Sequence, residues 1–178
     1  MHIIRLATSV LGATAAAGLL AAPASADGVR VQDPADATAS NYDVSKVVVR
    51  HGGSRLFVRV KFADLNPQGN SGMSIFIDTD KSLRGPEFRV GAGLFDGTDY
   101  NIGTMTGWRD NEEILACASD LDLNYNRETA TYWVERACFD EVDQVRVGIK
   151  VKDAYDGSHV VTDWVPTRRG FTDWLAAG

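Results

Sequence analysis

Apolar and polar residues alternate one by one along several short stretches of the chain. From Arg55 to Phe62, apolar side chains take every second position, and Arg or Lys takes most of the others. A period of two is typical of a strand with one face buried and the other in solvent. The pattern recurs further along the chain, and the residues predicted to point inward are Leu56, Val58, Val60, Phe62, Ile75, Ile77, Val145, Val147, Ile149 and Val151.

Clusters of Gly, Asn, Asp and Pro separate these runs and predict tight turns. Gly52 and Gly53 lie between two β-rich runs and indicate a hairpin, because glycine takes the positive φ that tight hairpin turns require. No long stretch has the apolar period of a helix. The pattern therefore predicts an all-β fold, a single-domain antiparallel β-sandwich of the jelly-roll or immunoglobulin-like kind, with a barrel as the alternative.

The N-terminal residues 1–26 are almost uncharged. Arg5 is followed by an apolar run from Leu6 to Leu20, and Ala24-Ser25-Ala26 has the small-residue pattern that signal peptidase cleaves. The run is shorter than the roughly 20 residues that span a bilayer as a helix. We therefore predict a signal peptide over residues 1–26, a mature domain over 27–178, and a secreted, extracellular protein. A retained membrane anchor is the alternative.

The balance of charge restricts the partners of the mature domain. The whole chain has a formal charge of −6, and residues 1–26 contain one Arg and no acid, so the remainder carries −7. Such a domain repels phosphate backbones, and nucleic acid is not an expected partner. No later stretch is apolar for long enough to span a bilayer, so no membrane insertion of the mature chain is expected.

Both ends of the mature chain lack the alternation of the central strands. The segment from Asp27 to Asn41 is acidic and rich in small residues, which predicts an extended lead-in rather than a helix. The C-terminal tail carries Trp164, Phe171 and Trp174 without a strand pattern. We expect these three aromatic side chains to pack against the sandwich, with exposure for ligand binding as the alternative.

Carboxylates at alternating positions suggest a weak calcium site at Asp78 and Asp80, where a predicted strand ends. Oxygen ligands on a loop suit Ca²⁺, although the spacing departs from that of an EF-hand. The alternative is that the two carboxylates only cap a turn. Similar but weaker groups are Asp33, Asp36 and Asp43 in the lead-in, and Asp120, Asp122, Asn124 and Asn126 near a later turn. No other cofactor is expected.

The sequence contains no catalytic signature. The histidines after residue 26 are His51 and His159, and neither lies in a recognisable catalytic motif. Gly69-Asn70-Ser71-Gly72 faintly resembles the segment around a serine-protease nucleophile, but it is also a typical loop sequence. We therefore expect no enzyme and assign no catalytic residue.

Aromatic side chains are the candidates for ligand contact, because sandwich domains often hold sugars on aromatic platforms. Tyr100 and Trp108 are the predicted ligand-binding residues. Tyr132 and Trp133 are adjacent in a predicted strand and must face opposite ways, so one of the two is expected in the core.

Cys117 and Cys138 are predicted to form a disulfide, the usual state of two cysteines outside the cytoplasm. They lie on two runs, 114–123 and 130–138, joined by a turn. If the turn is centred between Arg127 and Glu128, the two cysteines fall directly opposite each other in an antiparallel ladder, close enough to be bridged. That register also sets Asp120 against Glu135 and Asp122 against Trp133. Two free buried thiols are the alternative.

Three segments carry a resemblance to known proteins: the lead-in with Asp33, Asp36 and Asp43-Val44, the predicted hairpin from Val47 to Leu65, and the strand Ile75-Phe76-Ile77-Asp78-Thr79-Asp80. They resemble small secreted bacterial β-sandwich proteins and, more distantly, family 9-type carbohydrate-binding and DOMON-like domains. The resemblance implies a jelly-roll-like sandwich with a non-catalytic role, and it matches no ligand set residue by residue.

The predicted function is a secreted, non-catalytic binding module for carbohydrate or another cell-envelope component. One alternative is a structural or protein-interaction domain with no small ligand, and another is a small secreted enzyme or inhibitor. Exposed aromatics on one sheet face would favour the binding module. An exposed apolar patch would favour the structural or protein-interaction domain. A deep pocket with converging His or carboxylates would favour the small secreted enzyme or inhibitor.

Overall fold

The computed structural model describes residues 27–154 and 159–178. The predicted signal peptide, residues 1–26, lies outside the described residues. Across the described ranges the chain forms twelve strands and one short 3₁₀ helix, Arg136–Phe139. The strands are β1 (Asp27–Gln32), β2 (Val44–His51), β3 (Arg55–Phe62), β4 (Ser71–Asp78), β5 (Phe88–Gly93), β6 (Tyr100–Thr106), β7 (Arg109–Ile114), β8 (Ser119–Asn124), β9 (Thr129–Glu135), β10 (Gln144–Asp153), β11 (Val161–Val165) and β12 (Leu175–Ala176).

Two antiparallel sheets pack together and confirm the predicted β-sandwich. The five-stranded sheet has the order β1-β2-β3-β9-β8. The seven-stranded sheet has the order β11-β10-β4-β5-β6-β7, and β12 pairs with β10 beside this path. No helix in the described ranges is long and apolar enough to cross a membrane.

The core lies between the two sheets, and the strand faces are those that the alternation predicts. The ten residues predicted to point inward each expose at most 2% of their surface. Tyr132 is the core member of the pair on β9, with 1% exposed, whereas Trp133 points outward beneath the guanidinium of Arg55. The period-two pattern was sufficient for these assignments because the apolar residues of β3, β4 and β10 fall mainly on one face of each strand.

The hairpin between β2 and β3 forms where it is predicted, but for a different reason. The amide of Gly52 donates to the carbonyl of Arg55 at 2.9 Å and closes the turn. Positive φ values occur at Gly85, Gly97 and Gly107 among the described glycines, not at Gly52 or Gly53. A Cβ on Gly53 would lie 2.7 Å from the carbonyl oxygen of Gly178, so glycine here allows the C-terminus to pack on the hairpin.

The disulfide between Cys117 and Cys138 is present, with Cα atoms 5.7 Å apart, but the predicted ladder register is wrong. Asp120 pairs with Trp133 and Asp122 with Thr131, a shift of two residues. Cys117 precedes β8, and Cys138 lies in the 3₁₀ helix that follows β9. The bridge therefore joins the two segments that flank the hairpin rather than two facing ladder residues.

The two ends of the chain are more regular than predicted. The first part of the acidic lead-in is β1, which pairs with β2 from Asp27 opposite His51 to Gln32 opposite Lys46. Trp164 lies in β11, which pairs with β10, so the view of the tail as lacking strand structure is corrected. The single run 114–123 is divided between β7, which ends at Ile114, and β8.

Candidate functional site

The outer face of the seven-stranded sheet is the most distinctive surface of the described residues. One row across it consists of ladder partners from five adjacent strands: Trp164, Lys150, Ser74, Gly91 and Asn101. The next row contains Thr162, Lys152, Gly72 and Gly93. Small residues on β4 and β5 thus form a flat floor, and long cationic side chains stand beside it on β10.

Five cations converge on this surface, which we call the basic face: Arg89, Lys150, Lys152, Arg168 and Arg169. Burial lowers the pKa of Lys150, and the neighbouring charges of Lys152, Arg89, Arg168 and Arg169 lower it further. Arg89 pairs with Asp110 at 2.7 Å, and no other described acid forms an ion pair with these five residues. Four of the five cations thus have no ion-pair partner among the described acids, and such a concentration of positive charge produces a potential that attracts anions.

An open groove of about 540 Å³ lies on the basic face, with Gly72, Ser74 and Gly91 in its floor. Arg89, Lys150 and Lys152 are among its lining cations. A smaller depression of about 420 Å³ lies on the other side of Lys150 and is lined by Thr162, Trp164, Arg168 and Arg169. Lys150 therefore contributes to both recesses, which suits an extended ligand better than a small compact one.

An aromatic cluster adjoins the groove and comprises Phe76, Trp108, Trp164 and Phe171. Phe76 and Trp164 stack with ring centroids 5.6 Å apart and planes 12° apart. Trp108 meets Phe76 at 4.9 Å, Trp164 at 5.8 Å and Phe171 at 5.4 Å. Phe76 is buried beneath this cluster, but both tryptophans remain partly exposed.

The cations of this surface also contact the aromatic rings. Lys150 Nζ lies 5.5 Å from the ring centre of Trp164, and the guanidinium of Arg169 lies 5.6 Å from that of Trp108. Arg146 lies over both Phe171, at 4.7 Å, and Trp174, at 4.8 Å. Such contacts hold the cations in place and pack the C-terminal aromatics against the sheet.

The two predicted ligand-binding aromatics lie apart. Trp108, at the turn between β6 and β7, belongs to the aromatic cluster described above. Tyr100 packs edge-on against the core residue Tyr132, and its hydroxyl donates to the carbonyl of Ser119 at 3.0 Å. The sequence analysis gave ligand binding by Trp164 only as the alternative to packing and did not select the lysines, because the strand pairing that gathers these residues joins distant segments.

The predicted calcium ligands Asp78 and Asp80 have protein partners. Asp78 is fully buried, and its Oδ2 accepts hydrogen bonds from Arg146 Nε at 2.8 Å and Nη2 at 2.6 Å. Its Oδ1 is buried without a hydrogen-bond partner among the described residues, but the guanidinium of Arg146 compensates the charge of this carboxylate. Asp80 Oδ1 accepts from the amide and the hydroxyl of Ser82, which also lowers the pKa of its carboxyl. In the described ranges the acidic side chains that converge are instead Asp33, Asp36 and Asp163.

The residues considered for catalysis have structural partners. Ser71 donates its hydroxyl to Asp153 at 2.9 Å, and Ser40 donates to the other oxygen of the same carboxylate at 2.6 Å. His51 is fully buried, with Nδ1 3.0 Å from the carbonyl oxygen of Leu175. His51 therefore contributes to interior packing, whereas Ser71 also lines the groove but has its hydroxyl engaged by Asp153.

Comparison of the chain with protein-family models, with curated proteins and with solved structures finds no match. The resemblance to carbohydrate-binding and DOMON-like domains therefore stays a prediction.

Proposed function

We propose that this protein is a non-catalytic binding module whose basic face binds an acidic carbohydrate. The observation that supports this proposal is the groove between Arg89, Lys150 and Lys152, with partly exposed Trp164 beside it. Carboxylate or sulfate groups on a glycan would pair with the cations, while the apolar face of a sugar ring would stack on the indole.

The form of the groove suits binding rather than chemistry. It is open and shallow, its floor is backbone and small side chains, and its charged groups are of one sign. General acid–base catalysis needs an acid and a base held at the reacting bond. No His, Asp or Glu is among the residues that line the groove in the described part of the chain. We therefore propose a role without catalysis.

Binding can be tested with the protein purified from culture medium and three polysaccharides: polygalacturonate, dextran sulfate and neutral dextran. We expect calorimetry to detect binding to the two anionic polymers and no binding to neutral dextran. A preference between the first two would identify carboxylate or sulfate as the recognised group. Binding to neutral dextran alone, or to none of the three, would contradict the proposal.

The double variant Lys150→Ala/Lys152→Ala tests the site itself. A hydrogen bond to a charged group contributes about 1.5–3 kcal/mol, so the affinity for the anionic polymer should fall at least about tenfold. Lys46→Ala/Arg50→Ala removes the same number of charges from the outer face of the five-stranded sheet; it is the matched control and should bind as the wild type does. Equal losses in both variants would indicate attraction by overall charge and would count against a site on the basic face.

A protein-interaction role is the second candidate, and the edge strand β7 favours it. All six residues of β7 are exposed, and the strand pairs only with β6 along the edge of the sheet. An open edge can accept a strand from a partner. Asn111→Pro would block such pairing. Two measurements on this variant are needed: capture of a protein partner and binding to the anionic polymers. Loss of the first with retention of the second would show that both roles coexist.

Secretion is part of the proposed function. The disulfide is of the kind formed in oxidising compartments. Asp27 is paired with His51 in β1, so cleavage after Ala26 would leave that strand intact. N-terminal sequencing of the protein from the medium should give Asp27 as the first residue. Retention of the full chain in the membrane would contradict the prediction of secretion.

A further inference from the structure

The connection between β1 and β2 brings acidic side chains against β11. The amide of Asp33 donates to the carbonyl of Ser45 at 3.1 Å, and the amide of Ala37 donates to Asp43 Oδ1 at 2.7 Å. These bonds fold the connection back on itself beside the inward-facing side chain of Asp163. Asp163 and Asp33 are 130 positions apart in the chain but become neighbours here.

Three carboxylates converge at this point. One oxygen from each of Asp33, Asp36 and Asp163 lies within 4.8 Å of the other two. Calcium binds carboxylate oxygens at about 2.3–2.6 Å, so two oxygens on one ion are separated by at most about 5 Å. The observed spacing therefore fits three ligands on a single ion. Asp43, also buried, adds a fourth negative charge close to the other three.

The carboxylate of Asp163 provides an independent indication of a ligand. Only 5% of Asp163 is exposed, and its Oδ2 accepts a hydrogen bond from the amide of Val44 at 2.7 Å. Its Oδ1 is buried and has no hydrogen-bond partner among the described residues, and the same is true of Asp33 Oδ2. A buried charged oxygen without a partner is costly, and a bound cation removes that cost.

The electrostatics of the cluster agree with this geometry. Burial, together with the charges of Asp163, Asp36 and Asp43, raises the pKa of Asp33 to about 7. Burial is also the main cause that raises the pKa of Asp163. No lysine or arginine in the described ranges forms an ion pair with these acids. The cluster thus carries excess negative charge, which either a shared proton or a bound cation would neutralise.

We propose that Asp33, Asp36 and Asp163 bind one calcium ion, which joins the β1–β2 connection to β11. Oxygen ligands suit both Ca²⁺ and Mg²⁺, but calcium is favoured because the ligands lie partly on a loop and Ca²⁺ accepts an irregular geometry, whereas Mg²⁺ requires a near-ideal octahedron. Asp36 is exposed and provides a route for the ion from solvent. The proposal places calcium at a different position from the one predicted at Asp78 and Asp80.

Thermal unfolding in CaCl₂ and in EDTA tests the proposal with the secreted protein. Extracellular calcium sites have Kd values of about 10⁻⁴–10⁻³ M, so about 5 mM calcium should raise Tm by several degrees. Calorimetry should give one calcium per chain, and MgCl₂ at the same concentration should raise Tm less. No rise with calcium would overturn the proposal and would indicate that a shared proton neutralises the cluster.

Two matched variants locate the site. Asp36→Asn alters an exposed ligand without disturbing the interior; it should abolish the calcium-dependent rise in Tm. In EDTA this variant should be at least as stable as the wild type, because one of four repelling charges is gone. Asp80→Asn should keep the full calcium response. If Asp80→Asn loses the response and Asp36→Asn keeps it, calcium binds near Asp78 and Asp80, and the proposal is wrong.

Discussion

Two carboxylates take inward positions among the apolar residues of the sandwich: Asp153 on β10 and Asp163 on β11. The hydroxyls of Ser40 and Ser71 donate to Asp153, and the amide of Val44 donates to Asp163. The alternation in β3, β4 and β10 predicted the apolar residues of the core but not these two acids. Asp163 follows the phase of Val161 and Val165, and an acid in the apolar phase of a strand is the signal that could have indicated a buried site.

Substitutions on opposite faces of one strand should differ sharply in their cost. Val58→Ala or Val147→Ala removes two methyl groups from a closed core and should lower the free energy of unfolding by about 1–3 kcal/mol. Arg59→Ala should cost less than ~0.5 kcal/mol, because its side chain is exposed and its contacts, with Thr131 and the ring of Phe57, lie on the outer face. Lys150→Ala should cost equally little, since it also relieves repulsion on the basic face. Urea unfolding measures all four, and larger losses at Arg59 or Lys150 would show that the faces are misassigned.

The buried imidazole of His51 should make stability depend on pH. The carbonyl of Leu175 can only accept, so Nδ1 carries the hydrogen, and Nε2 is buried without a partner among the described residues. Burial is the main cause that lowers the pKa of His51, and the charge of Arg136 lowers it further, against the opposing effects of the hydrogen bond to Leu175 and of the charges of Asp143 and Asp27. The native state therefore stays neutral where the unfolded chain takes up a proton, and stability should fall as the pH drops below about 6.5.

Urea unfolding at pH 7.5 and pH 5.5, with calcium held constant, measures this effect in the wild type and in His51→Gln. Glutamine can still donate to the carbonyl of Leu175 but does not titrate. The wild type should lose more stability between the two pH values than the variant does, while other titrating groups cancel in the comparison. Parallel losses would exclude His51 as the source.

At the level of elements, the error in the β8–β9 register came from turn chemistry. The loop between these strands is closed by the amide of Arg127, which donates both to the carbonyl of Asn124 and to its Oδ1. This arrangement centres the turn one residue earlier than predicted and shifts every pair by two. Sequence alone does not determine which of several turns a polar segment adopts, whereas the period of a strand needs only its own residues.

The disulfide should still stabilise the fold, although it lies outside the ladder. It joins the segment before β8 to the 3₁₀ helix, across a separation of 21 residues. Closing a loop of that length in the unfolded chain contributes about 3 kcal/mol in the chain-entropy model. Cys117→Ala/Cys138→Ala should therefore melt roughly 10 °C lower than the wild type. Reductant should lower the Tm of the wild type towards that value and leave the variant unchanged; equal melting of both proteins would contradict a stabilising role.

At the scale of the whole molecule, charge is segregated in a way that the net value conceals. Residues 27–178 carry a formal charge of −7, which argued against nucleic acid as a partner. A net charge does not show where the positive side chains lie, so it gave no indication of the basic face. That face forms only when β10, β5 and the segment after β11 come together through pairings between distant parts of the chain. The acidic cluster arises in the same way, from β11 and the connection after β1. Both surfaces depend on tertiary structure, so local patterns could not identify them.

The strand β11 connects the two proposed sites, since Asp163 points inward to the acidic cluster and Trp164 points outward to the aromatic cluster. It is also an edge strand, held on one side by β10 alone. Edge strands open locally, and their amides exchange without global unfolding. A calcium ion bound between Asp163 and the β1–β2 connection should suppress that opening.

Hydrogen exchange measured in calcium and in EDTA tests this connection. Amides of β11 should exchange several times more slowly in calcium, and this difference should vanish in Asp36→Asn. The opposite edge strand, β7, has no residue in the acidic cluster and is the internal control; its exchange should be the same in both conditions. If β7 and β11 slow to the same extent, calcium stabilises the molecule as a whole and does not act by holding β11. Slowing confined to β11 would mean that the ion, bound on the inner side of the strand, acts by holding the backbone that also carries Trp164 on the outer side.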